Sequence, residues 1–138
     1  MYSRKELKLK YEQAVNLGLS GAELLKDPRA QRACNGIGAE WMWDNLRELI
    51  GIFNPTLTLA ADIHDMRYEL GGDAAAREFA DDEFLANAIA CADAKYCWFN
   101  PLRYRVRKQA RKFHLILRVF GKKAWEEAQK RGGTDDNV

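Results

Sequence analysis

The sequence predicts an all-α fold, and two observations support this prediction. Apolar residues recur at spacings of three and four along the C-terminal half, which is the period of an amphipathic helix. No segment stands out with the strict two-residue alternation of a half-buried strand. With 138 residues, the chain is expected to form one domain over residues 1–131, followed by a flexible tail over 132–138.

Two short helices are predicted near the N-terminus. A weakly amphipathic pattern over residues 4–17 ends at Gly18. Ser20 and Glu23 have the spacing of a capping box, so a second short helix is predicted after Ser20 and before Pro28.

A glycine-punctuated loop, Cys-Asn-Gly-Ile-Gly, follows at residues 34–38, and the apolar segment after it, 40–53, is either a helix or irregular.

Three long helices are predicted in the remainder of the chain. The first follows Asn54 and Pro55, which suit a helix start, and stops at the glycine pair 71–72. The second covers about 75–97, and Asn100-Pro101 separates it from a third over about 102–130. The apolar stripe expected to pack in this third helix is Leu102, Val106, Ala110, Phe113, Leu117, Phe120 and Ala124.

Composition argues against several protein classes. No apolar run approaches the roughly 18 residues that span a bilayer. The first residues contain no apolar core of a secretory signal, so none is expected, while the location of the protein stays open. The cysteines Cys34, Cys91 and Cys97 have no zinc-site spacing and are expected to be free thiols.

Positive charge is concentrated in the C-terminal segment. From Pro101 onward there are 11 Lys and Arg against 4 Asp and Glu, whereas the rest of the chain has 11 against 16. Such a segment suits phosphate groups on lipid or nucleic acid, and a solvated helix face is an equally simple explanation. The basic residues in question are Arg105, Lys108, Arg111, Lys112 and Arg118.

Helical geometry places the chemically active side chains of the two central helices. At about 100° per residue, His64 and Tyr68 share one face of the first helix, and Asp65 lies at the edge of that face. In the second helix Asp81 lies on the apolar stripe and Asp82 at its margin. A short connection favours antiparallel packing, which would bring Asp81 to His64 and Tyr68.

This arrangement would suit proton transfer by a histidine. A buried carboxylate fixes the tautomer of His64, so that its other ring nitrogen can take a proton from water. Asp65 would then need a cation, and the glycine loop could turn its carbonyls toward calcium. The alternative is a structural His–Asp–Tyr network with Asp65 in solvent.

The sequence resembles the viral and phage-type branch of the phospholipase A2 superfamily. Three motifs in the same order carry the resemblance: the CNGIG loop, HDMRY at residues 64–68 and ADDEFLANA from residue 80. The resemblance covers about residues 34–97. It implies a phospholipase A2-like fold, with two long antiparallel helices carrying the site. It also implies calcium-dependent hydrolysis of the sn-2 ester bond of phospholipids at a membrane surface. The positive charge of the C-terminal helix favours a surface of anionic lipid. A phage lineage would also be compatible with a virion component or with release from a host cell.

The resemblance also implies residue roles. His64 would be the general base, with Asp81 and Tyr68 supporting it, and the Gly36 amide would bind the oxyanion. Calcium would be held by Asp65 and by the carbonyls of Cys34, Gly36 and Gly38. The chain departs from the secreted enzymes because it lacks their disulfides, has a longer interval between loop and histidine, and carries Ala39 in place of a usual glycine.

Two other functions stay open on the sequence. A helical nucleic-acid-binding phage protein would explain the basic helix but not HDMRY or Asp81. A phospholipase-like protein that binds membranes without catalysis is the second. A metal-dependent phosphohydrolase with an HD pair is disfavoured because His114 is the one other histidine in the chain.

Overall fold

The computed structural model describes residues 2–34 and 55–135, and side chains as far as residue 130. All regular secondary structure in these ranges is helical, which confirms the all-α class. None of the helices in these ranges combines the length and the apolar composition that spanning a membrane requires.

The N-terminal segment contains α1 (Arg4–Asn16), a short 3-10 helix (Ala22–Lys26) and α2 (Ala30–Ala33). A capping box does occur here, but at Ser3 and Glu6, at the start of α1. The predicted box at Ser20 and Glu23 is wrong. The Ser20 hydroxyl instead donates to Glu83 Oε2 at 2.7 Å, and left-handed Gly21 precedes the 3-10 helix.

The three long helices follow the predicted order. A 3-10 turn (Pro55–Leu57) leads into α3 (Thr58–Leu70), and α4 (Ala74–Lys95) and α5 (Pro101–Asp135) complete the chain. Gly71, with φ 73°, ends α3, and the Asp73 side chain caps α4 by accepting from the Ala76 amide at 2.9 Å. The predicted cap Asn54 is wrong for α3, because the 3-10 turn comes first and Leu57 is the N-cap residue, without a side-chain cap; Asn54 itself lies outside the described residues.

Helix α5 differs from its prediction in two respects. It continues through Asp135, so the glycine pair 132–133 does not end it and part of the predicted flexible tail is helical. Its packed face also differs, because Leu102 and Phe120 are 45% and 65% exposed. The residues of α5 that do pack in the core are Val106, Ala110, Phe113, Leu117, Ala124, Trp125 and Ala128.

The core brings α3, α4 and α5 together around the polar residues of interest. Apolar side chains from all three helices form one cluster, in which Tyr68 and Phe84 are almost fully buried. The N-terminal segment packs on the opposite side of α3, through smaller clusters around Ile63 and Met66. Helix α3 is therefore enclosed on both sides.

Candidate active site

His64, Tyr68 and Asp81 meet in the centre of the core. Nε2 of His64 lies 2.9 Å from Oδ1 of Asp81, and the Tyr68 hydroxyl donates to the same oxygen at 2.8 Å. Their exposed fractions are 1%, 2% and 0%. The three side chains that the helical wheel placed together are therefore in direct contact.

These contacts fix the donor and acceptor roles. An ionised carboxylate only accepts, so with Asp81 ionised Nε2 of His64 carries a hydrogen, and Nδ1 is the nitrogen that would take up a further proton. Burial first, and the charge of Asp81 second, raise the pKa of Tyr68, which keeps its hydroxyl protonated as a donor.

Aromatic side chains enclose the three polar groups. The His64 ring lies 4.2 Å from the Tyr68 ring, centroid to centroid, and 5.7 Å from that of Phe84 in an edge-on arrangement. Trp125 of α5 stands perpendicular to Tyr68 at 4.9 Å. The low dielectric of this environment strengthens each hydrogen bond and raises the cost of losing a partner.

The second carboxylate oxygen of Asp81 has a weaker electrostatic partner. Oδ2 is buried and makes no hydrogen bond to the described part of the chain, while Nη1 of Arg77 lies 3.9 Å away. Arg77 also donates to the Leu117 carbonyl of α5 at 3.3 Å. This pairing of Arg77 with Asp81 was not predicted from the sequence. Arg77 lies one turn before Asp81 in α4, a spacing at which opposite charges on a helix interact.

Asp65 is buried, with 6% of its surface exposed, so the alternative that places it in solvent is wrong. It belongs to the side of α3 that faces α2, near Cys34 at the end of that short helix. The Cys34 thiol donates to the Asp62 carbonyl at 3.5 Å. Burial, followed by the charges of Asp62 and Asp65, raises the pKa of this thiol, which therefore stays protonated.

The carboxylates on either side of Asp65 are paired with the N-terminal segment. Asp62 lies 2.9 Å from Nζ of Lys10 in α1, and Glu69 pairs with Arg32 of α2. These ion pairs, which no sequence pattern indicates, bind α1 and α2 to the face of α3 that carries Asp65.

The remaining predicted residues fall in different places. Gly36 and Gly38 lie outside the described residues. Within the ranges that the structure describes, no group of three or more His, Cys, Asp or Glu side chains is arranged to hold a metal ion. Asp82 is exposed and lies 2.8 Å from Nε2 of His114, so it plays no part in the buried network.

Among the described thiols, Cys34, Cys91 and Cys97 are all free, as predicted. Comparison with known proteins gives no significant match to a family model, to a curated protein or to a solved structure.

Proposed function

We propose that this protein is a calcium-dependent esterase that hydrolyses the sn-2 ester bond of phospholipids, as its resemblance to the phospholipase A2 superfamily implies. The contact of His64, Tyr68 and Asp81 is the observation that carries this proposal. Two motifs on consecutive helices, HDMRY of α3 and ADDEF of α4, meet in a buried contact of the kind that orients a histidine base.

In this proposal His64 removes a proton from the attacking water at Nδ1. Asp81 holds the opposite nitrogen and stabilises the positive charge that the ring gains when it is protonated. Tyr68 steadies Asp81 through the second hydrogen bond to Oδ1. The perpendicular Trp125 ring and the buried Phe84 limit rotation of these side chains, and such preorganisation reduces the cost of reaching the reactive geometry.

Calcium is a reasonable cofactor for the face of α3 that carries Asp65. Asp65 is a hard oxygen ligand, and its charge acts on the Cys34 thiol, so it lies near the first residue of the glycine loop. Asp65 and the Cys34 carbonyl would hold the ion together with Gly36 and Gly38. A bound calcium ion would supply positive charge to polarise the ester carbonyl.

The test is release of fatty acid from phospholipid vesicles, with calcium and with a chelator. His64→Gln should lower the rate by about two to four orders of magnitude, the usual effect of removing a general base. His114→Gln is the matched control, because His114 contacts the exposed Asp82 instead. Circular dichroism should show both variants folded. Full activity in His64→Gln, or no calcium-dependent release by the parent protein, would refute the proposal.

Nucleic-acid binding is a second candidate because four basic side chains, Arg105, Lys108, Arg111 and Lys112, are exposed on α5. It predicts salt-sensitive affinity for DNA or RNA, without calcium dependence, that reversal of these four charges abolishes. The buried His64–Asp81 contact has no role in that function, which is why we prefer the esterase.

A further inference from the structure

The corner between α4 and α5 displays large apolar side chains on an ordered turn. Trp98 and Phe99 are 71% and 69% exposed, and their rings meet edge to face at 5.6 Å. Leu102 and Tyr104, in the first turn of α5, are also exposed. Burying such side chains would be favourable, so the corner is suited to contact with an apolar phase.

Hydrogen bonds hold this turn in place. The Asn100 amide donates to the Cys97 carbonyl at 2.9 Å, and the Asn100 side chain accepts from the Leu102 amide at 3.0 Å, capping α5. The Tyr104 hydroxyl donates to the Trp98 carbonyl. Because the turn is ordered before binding, little conformational entropy is lost when its side chains meet a partner.

The charge around the corner is strongly positive. Between Asp93 and Lys112 the sequence has seven Lys and Arg and one acidic residue. That residue, Asp93, is itself paired with Arg103 at 2.7 Å and with Arg107 at 2.8 Å. The exposed cations that remain near the corner are Lys95, Arg105 and Lys108.

We propose that this corner docks on the surface of an anionic bilayer. Trp98, Phe99 and Leu102 would enter the boundary between headgroups and acyl chains, where amphipathic aromatic rings are favoured. Lys95, Arg105 and Lys108 would contact the lipid phosphates, each contributing attraction that salt screens. A second copy of the same surface is a poor partner because like charges would face one another.

The corner would be the surface through which the esterase reaches its substrate, and in that respect its role rests on the proposed function. The binding itself can be measured without hydrolysis, because a chelator removes the cofactor of the reaction.

The experiment measures partition of the full chain into vesicles of phosphatidylcholine with phosphatidylglycerol, in chelator. The double variant Trp98→Ser/Phe99→Ser should bind at least about tenfold more weakly, since affinity scales with buried apolar area. The control Leu9→Ser/Val15→Ser removes two half-exposed apolar side chains from α1 and should bind like the parent. Equal binding by the parent and the corner variant, equal losses in both variants, or no binding by the parent would overturn the proposal.

A second variant tests the charges. Arg105→Glu/Lys108→Glu should weaken binding to the anionic vesicles and hardly change binding to pure phosphatidylcholine; equal effects on both would count against the proposed orientation.

Vesicle binding without hydrolysis would refute the esterase and leave the docking surface intact. Hydrolysis that the corner variant retains on both vesicles and dispersed short-chain lipid would refute the surface and leave the esterase intact. Binding of DNA in place of vesicles, lost in the corner variant, would also overturn the bilayer as the partner.

Discussion

Gly121 of α5 lies directly against the hydroxyl group of Tyr68: a methyl group at position 121 would come within 2.7 Å of that oxygen. Only a residue without a side chain leaves room there for the hydroxyl that donates to Asp81. Glycine in a helix interior lowers stability by about 1 kcal/mol relative to alanine, so helix propensity does not explain Gly121. The space that the Tyr68 hydroxyl needs does explain it.

Gly121→Ala should therefore destabilise the protein, although helix propensity alone would predict the opposite. Overpacking of a core typically costs about 1–3 kcal/mol, which exceeds the gain in propensity. Denaturant unfolding measures the difference in free energy. A variant more stable than the parent would contradict the close contact between Gly121 and the Tyr68 hydroxyl.

Removal of the hydroxyl provides the control for this prediction. In a Tyr68→Phe background, Gly121→Ala should cost clearly less, because the atom that the methyl group meets is gone. The double-mutant cycle isolates the coupling between the two positions, and independent sites would give additive effects.

The neighbouring residues Asp81 and Asp82 should respond very differently to replacement by alanine. Asp81→Ala removes the acceptor of Tyr68 and the partner of His64 in the core, and should cost about 1–3 kcal/mol of stability. The side chain of Asp82 is 62% exposed, so Asp82→Ala should change stability by less than about 1 kcal/mol. Thermal unfolding of both variants decides the order, and its reversal would contradict the register of α4.

Calcium binding should depend on Asp65 more than on the two carboxylates beside it. In the proposed site Asp65 supplies the carboxylate ligand, whereas Asp62 pairs with Lys10 and Glu69 with Arg32 to hold α1 and α2 against α3. Asp65→Asn should therefore weaken calcium binding far more than Asp62→Asn or Glu69→Gln does. Calorimetry on the three variants is the measurement, and equal affinities would remove Asp65 from the metal site.

The buried contacts of His64 could be predicted because helical periodicity is a strong constraint. His64 and Tyr68 are one turn apart, and Asp81 lies on the apolar stripe of the next helix. The connection between the two helices is only Gly71, Gly72 and Asp73, and so short a connection favours antiparallel packing. Helical periodicity and one short connection were therefore sufficient to predict the contact of His64, Tyr68 and Asp81.

Other features depended on tertiary contacts that no local rule contains. Ser20 fits a capping box, but the buried side chain of Glu83 in α4 accepts its hydroxyl hydrogen instead. Phe120 continues the spacing of the apolar stripe, yet α5 makes its close approach to Tyr68 through the next residue, Gly121, and Phe120 is left exposed. The ion pair of Lys10 with Asp62 joins residues too distant in sequence for any pattern to connect them.

Asp62 makes the stability of the protein dependent on pH in a predictable direction. Burial raises the pKa of this carboxyl group to about 6, and the opposing attraction of Lys10 only partly offsets the effect. For Lys10 burial is the largest single effect and lowers the pKa, but the charge and hydrogen bond of Asp62, together with those of Tyr2, outweigh it, so the pKa of Lys10 is raised. The carboxyl is the more deeply buried of the two, with 5% of its side chain exposed against 18% for Lys10, so burial dominates at Asp62.

In the unfolded chain Asp62 should titrate near its ordinary pKa of about 4. Between about pH 4 and pH 6 the folded state therefore binds more protons at this position than the unfolded state, and the contribution of Asp62 to stability falls as pH rises through that range. Asp62→Asn cannot ionise, so the parent should lose stability relative to this variant as pH rises from about 4 to 7. Thermal unfolding of both proteins across this range measures the difference. A difference that stays constant, or changes in favour of the parent, would show that the ion pair with Lys10 outweighs burial at Asp62.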